Sequence, residues 1–230
     1  MERKHPFIVN EIYHLFSRGV EKRKVFTCTA DYERFIVLLL LSNSEEPVHI
    51  GNLPSKYQGE SLMHVCSDFA PTHTFVDVLA YALMPNHFHL MVREKRDGGI
   101  STFMRKLMTS YSMYFNIKNE RSGPLFTRPF RSQLVDSDAY LRWLFAYIHL
   151  NPLELSQPNW KRGGINKESA RSFMRAYTFS SLHDFYWGKR IQSSILNIPA
   201  LPLHLDGLHT IDDLITELSA NPEYQGESLM

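Results

Sequence analysis

The segment TFVDVLAYALMPNHFHLMVR, residues 74–93, constrains this chain more than any other. It consists of two apolar, strand-like runs broken at Met84-Pro85-Asn86, and a Pro-Asn pair in that setting marks a hairpin turn or a bulge. On the second run His87 and His89 stand two residues apart. They therefore share one face of a strand, with Cα atoms about 6.5–7 Å apart. Phe88, Leu90 and Val92 point the other way and give the strand a core to sit on. Two imidazoles so placed can converge on one divalent cation, with open positions left for substrate and water. On a solvated face the same pair would be two ordinary polar strand residues.

Around this hairpin the sequence predicts a strand over 7–19 and a helix over 30–42, capped by Thr29 or Asp31 and apolar at Phe35, Ile36, Leu38 and Leu39. Residues 43–73, with three prolines and two glycines, read as a long loop or insertion. A helix is expected over 101–119, with Ser101 as its cap and Phe103, Leu107, Tyr111, Tyr114 and Phe115 at helical spacing. Another is expected over 137–150, stopped at Asn151-Pro152, then helix and turn over 168–187 and a short amphipathic segment over 211–218. The heptapeptide YQGESLM occurs twice, at 57–63 and 224–230. It reads as duplicated coding sequence and carries no assigned chemistry.

Tyr111 follows the histidines by about two turns of the next helix. A phenol with pKa near 10 becomes a nucleophile only when its phenolate is stabilised. Its place on the Phe103–Leu107 stripe equally suits a core aromatic, and Tyr114 lies on nearly the same face. Next comes the loop RSGPLFTRPFRS, residues 121–132, in which Arg121, Phe126, Arg128 and Arg131 interleave cations with aromatics. Arginines pair with phosphates and exposed aromatics stack on unpaired bases. Arg105 and Lys106 on the preceding helix extend this surface if they face the same way.

Charge points in the same direction. The net charge of +1 hides +7 over residues 1–190 and −6 over 191–230, where no lysine or arginine occurs. A basic body suits a polyanionic partner, and the last forty residues read as an acidic tail, partly helical or disordered. The longest apolar run, Phe35–Leu41, is far short of the ~20 residues that span a bilayer. No apolar stretch follows the charges of MERKHPF, so no secretory signal is expected. Two cysteines without a CxxC exclude a disulfide scaffold and a zinc ribbon.

Taken in order, YHLFSRG (13–19), VFTCTADYERF (25–35), YALMPNHFHLMV (81–92), KLMTSYSMYFN (106–116), GPLFTRPFRS (123–132), AYIHLNPL (146–153) and TFSSLHDFYWG (178–188) resemble the REP-associated tyrosine transposases, a branch of the single-tyrosine HUH transposases. The resemblance spans roughly residues 7–187. It implies an α+β fold: a central antiparallel sheet with helices mainly on one face, the ferredoxin-like palm of HUH nucleases. One domain would then cover 1–190, with the insertion near 43–73, and the tail 191–230 would lie outside it.

The implied activity is metal-dependent cleavage and rejoining of single-stranded DNA near repetitive hairpins, through a 5′-phosphotyrosine intermediate. Tyr111 is the expected nucleophile, with His87 and His89 holding Mg2+ or Mn2+. The motif leaves the third ligand open: Phe115, one turn after Tyr111, cannot coordinate, and Asn116, five residues on and about 140° around the helix, is a candidate. The expected partner is single-stranded or hairpin DNA of the REP-palindrome type, bound by a monomer or homodimer at the nucleoid, in the cytoplasm and away from membranes. The alternative is a domesticated relative that holds hairpins without cutting. Where relatives carry Gly-Arg before the loop aromatic, this chain has Thr127-Arg128-Pro129-Phe130, which shifts the arginine by one position.

Overall fold

A computed structural model describes residues 6–46, 48, 50–57, 59–127, 130–158, 160 and 164–221. In chain order the elements are β1 (Ile12–Arg18), α1 (Thr29–Ser42), α2 (Val65–Asp68), β2 (Val76–Met84), β3 (His87–Glu94), α3 (Gly99–Lys118), β4 (Arg131–Leu134), α4 (Asp138–Leu150), α5 (Lys167–Ala176), α6 (Leu182–Tyr186) and α7 (Ile211–Ala220). The strands form one antiparallel sheet in the order β2-β3-β1-β4.

The hairpin read from the sequence is β2–β3, with Met84 paired to His87 across the two-residue turn Pro85-Asn86. The segment after β1 clamps that turn. Gly19 N–H donates to the Asn86 carbonyl (2.8 Å), and Val25 and Phe26 N–H both donate to the Pro85 carbonyl (2.7 and 3.0 Å). Gly19 is required at this close approach, because a Cβ there would stand 2.4 Å from the Arg23 carbonyl oxygen. A bulge between Val78 and Ala80 shifts the phase of β2, so Val76, Val78, Tyr81 and Leu83 all reach the same side.

β2 is buried along its whole length, which requires cover on both faces. On one face α1 and α3 pack against Leu15, Phe88, Leu90 and Val92. On the other, α4 packs against Ala80, Ala82 and Met91, α7 packs on α4, and α5 joins the same, second core. The α+β class and the antiparallel sheet are as expected, but the helices divide between the two faces instead of gathering on one. The physical reason is that α4 carries its own apolar stripe, from Leu141 to Leu150, and the small side chains of β2 let it lie close to the sheet.

The described residues of 43–73 include three short 3-10 turns (Ile50–Asn52, Ser55–Tyr57 and Gly59–His64) and α2, and Leu62, Val65 and Cys66 are buried in the first core, the one under α1 and α3, so the segment is not simply an open loop. The break expected at residue 190 is also absent from the packing. Ile195 and Leu196 are buried in the first core, while Ile211, Leu214, Ile215 and Leu218 are buried in the second. Three acids of the expected acidic tail are engaged: Glu217 pairs with Arg142 (2.8 Å), Asp212 with Arg171, and Asp213 closes a capping box with Thr210, while Glu223 and Glu227 lie outside the described residues. The second YQGESLM copy and Gln58 of the first lie outside the described residues.

Candidate active site

β3 presents His87 and His89 together, their ring centroids 5.0 Å apart, on the α4 face of the sheet. Each is held through its Nδ1. His87 Nδ1 lies 2.6 Å from Asn86 Oδ1. The Asn86 Nδ2 donates to the Lys22 carbonyl (3.3 Å), which sets the amide's orientation and therefore puts the His87 proton on Nδ1. His89 Nδ1 lies 2.8 Å from His14 Nε2 on β1, one ring donating to the other. His14 is fully buried, and burial pushes its pKa down to about 3, so it is neutral at ordinary pH.

α4 supplies the other side. Tyr147 stands edge-on to His89, with ring centroids 5.3 Å apart, and Trp143 stacks on it at 4.9 Å. Asn151, one turn on at the end of the helix, places Oδ1 3.1 Å from His87 Nε2. Burial, and after it the Glu154 carboxylate, pushes the Tyr147 phenol above its ordinary pKa; the neighbouring Asn151 amide works the other way.

Among the described residues no three His, Cys, Asp or Glu side chains come together, and the further oxygen beside the two histidines is that of the Asn151 amide. His87 Nε2 and Asn151 Oδ1 stand 3.1 Å apart. Adjacent ligands about 2.1 Å from an octahedral ion are roughly 3.0 Å apart. His87, His89 and Asn151 therefore fit a divalent cation.

Tyr111 is not part of this constellation. It projects from α3 on the opposite face of the sheet, fully buried, with its ring against Phe26 and Phe35 and its hydroxyl donating to the Val25 carbonyl (2.5 Å). Burial raises its pKa strongly. To meet the histidines it would have to pass through β3. Asn116 is likewise misplaced as a ligand: its Nδ2 donates to the Gly123 carbonyl and its Oδ1 accepts from Arg121, so it shapes the loop.

The expected nucleic-acid residues separate in the same way. Arg105 and Lys106 ride on α3, across the sheet from the histidines, and Lys106 is further engaged with the Ser44 carbonyl and the Phe75 ring. Arg121 holds Asn116 and the Pro124 carbonyl. Phe126 is buried against Phe88 and Tyr111 and offers no stacking surface. Arg128 lies outside the described residues. Of the described members of this set, Arg131 alone lines the same cleft as the histidines. It pairs with Phe16 in the register and lines a cleft of about 370 Å³ with Arg18, Lys22, Thr127, His87 and His89.

At the cleft mouth Glu21 and Lys22 both adopt left-handed backbone (φ 56° and 59°), an arrangement that costs a non-glycine residue energy. The Lys22 carbonyl bond to Asn86 ties this strained turn to the residue that orients His87. The Glu21 carboxylate is paired with Arg23 (3.1 Å), so the charge facing the cleft is mainly positive.

Tyr147, Asn151 and His14 were the residues that sequence reasoning passed over. Their signal was present: a tyrosine and an asparagine at i and i+4 closing an otherwise apolar helix, and a histidine on an alternating strand.

Residues 55–151 match the model of the family described as "Transposase IS200 like". No protein of curated function matches the chain. Among solved structures, one described as "Structure of the REP associates tyrosine transposase bound to a REP hairpin" is similar at 13% identity, over 80% of this chain and 84% of that one, with a TM-score of 0.48. The stretch that is similar to the IS200-like transposases, residues 55–151, is the one that brings His87, His89, Tyr147 and Asn151 together.

Proposed function

We propose that the chain is a single-strand DNA endonuclease and transesterase in which Tyr147, not Tyr111, is the nucleophile. The observation that carries this reading is the convergence of Tyr147 from α4 and Asn151 from its C-cap with His87 and His89 from β3 on one face of the sheet. His87, His89 and Asn151 would hold a divalent cation, magnesium or manganese. When bound, it supplies positive charge that polarises a phosphodiester and stabilises developing negative charge. Asn86 keeps His87 in the tautomer that presents Nε2, and His14 fixes the ring of His89. Trp143, stacked on Tyr147, restricts the phenol's ring to one orientation.

Tyr147 Oη attacks phosphorus, a tyrosyl–phosphate bond forms and the bond to the 3′ oxygen breaks. The proton lost by the phenol balances the one gained by the departing 3′-hydroxyl. The 5′-phosphotyrosine keeps the energy of the broken bond, so a DNA 3′-hydroxyl can reverse the step without another energy source. The preferred substrate is single-stranded DNA beside a hairpin, as the family resemblance implies, and the basic cleft suits its backbone.

The test is incubation with single-stranded hairpins and Mn2+, followed by detection of a protein-linked oligonucleotide. The adduct should vanish in Tyr147→Phe and persist in Tyr111→Phe. An adduct that survives Tyr147→Phe would exclude this nucleophile.

A further inference from the structure

Arg18 ends β1 directly opposite His87 in the antiparallel register, so the two side chains leave the sheet on the same face. Both line the cleft. Arg18 is half-buried, whereas the other cations of the cleft, Lys22 and Arg131, are exposed. Its side chain makes no hydrogen bond or ion pair with any described residue, and its Nε is buried without an acceptor. Other half-buried arginines are committed: Arg93 to Asp77, Arg142 to Glu217, Arg190 to Asp184. A guanidinium with a buried, unsatisfied N–H carries an energetic cost that a bound acceptor removes.

That acceptor must be anionic, reach the histidine face and match a planar fork of donors. A phosphate oxygen pair meets all three conditions. Among the described residues lining the cleft the acid is Glu21, and its carboxylate is paired with Arg23. We propose that Arg18 is a further catalytic residue of this site: its guanidinium donates to the non-bridging oxygens of the phosphate under attack. The proposal rests on the cleavage reading above. Negative charge on those oxygens grows as the new bond forms, so a fixed donor pair binds the transition state more strongly than the ground state. The exposed Lys22 and Arg131 would instead act on DNA affinity.

The experiment compares wild type, Arg18→Ala, Arg18→Lys and Arg131→Ala in single-turnover cleavage of a hairpin oligonucleotide that the wild type cuts, with binding measured separately. Arg18→Ala should slow cleavage by about 10²–10³-fold, the loss typical of a transition-state donor, while leaving DNA affinity within about three-fold. Arg18→Lys should recover part of the rate, because it restores charge without the fork. Arg131→Ala should weaken binding and flatten its salt dependence.

A methylphosphonate at the cut linkage separates chemistry from folding. It removes the charge that Arg18 serves, so the deficit of Arg18→Ala should shrink to less than about ten-fold on that substrate. A deficit of the same size on both substrates, or an Arg18→Ala rate within about three-fold of wild type, overturns the proposal. If Arg18→Ala does not fold, Arg18→Lys carries the same two-substrate comparison. A wild-type chain that forms no adduct with any hairpin overturns the cleavage reading itself, whereas an adduct unaffected by Arg18 variants overturns only the role of Arg18.

Discussion

Replacing Tyr111 with phenylalanine separates a structural tyrosine from a chemical one. Its hydroxyl donates to the Val25 carbonyl at 2.5 Å inside the first core, and no part of the side chain is exposed. Tyr111→Phe keeps the ring contacts with Phe26 and Phe35 and removes only this bond. The carbonyl left behind is buried, and such an orphan costs about 1–3 kcal/mol. For a chain of this size 1 kcal/mol moves the melting midpoint by about 2–4 °C, so a mid-range loss of about 2 kcal/mol lowers it by roughly 4–8 °C. Differential scanning calorimetry reads that shift, and adduct formation below the midpoint should match wild type. A variant with an unchanged midpoint that forms no adduct would refute the reasoning, because it would mean the hydroxyl works in chemistry and not in packing.

Other expectations follow from the same geometry. Asn86→Ala should weaken Mn2+ binding by about 10–100-fold in titration calorimetry, since the tautomer of His87 is then unset, while Asn86→Asp keeps the acceptor and most of the affinity; equal affinities would show that the His87–Asn86 contact is idle. His149 is fully buried against Ser181, and burial lowers its pKa from 6.5 to about 3. The unfolded chain therefore takes up this proton first, and stability falls as pH drops from about 6.5 towards 3, by up to ~1.4 kcal/mol per pH unit from this group. Urea unfolding of His149→Gln should show a correspondingly shallower pH slope, and an unaltered slope would contradict the assignment. Leu214 of α7 is fully buried in the second core, so Leu214→Ala should cost about 2–5 kcal/mol in urea unfolding; a negligible loss would mean that α7 contributes little to the body.

Local features were legible in the sequence. The β2–β3 hairpin, the pairing of His87 with His89 on one face, and the helices α1, α3 and α4 follow from periodicity and from Pro-Asn and Asn-Pro punctuation. The short edge strand β4 was read as loop, because its sequence RSQL has neither alternation nor apolar bulk; its pairing with β1 makes it a strand. Charge was misleading for a related reason. Composition sets the acids of 191–230 apart as an acidic tail, while packing gives Glu217, Asp212 and Asp213 partners within the body.

The choice between tyrosines shows where sequence reasoning stops. Spacing placed Tyr111 on an apolar helical stripe, and the chain honours that stripe by burying it. Tyr147 and Asn151 sit one turn apart, a relation that the sequence states but does not orient. What the sequence determined alone is the set of short-range relations: which residues share a face, which turn ends which element, which histidines can act together. Only the tertiary structure decided on which side of the sheet each helix lies, because that depends on how two apolar surfaces divide between the faces of β2. A helix and a strand can each be read from a few neighbours, but a site assembled from both depends on that division.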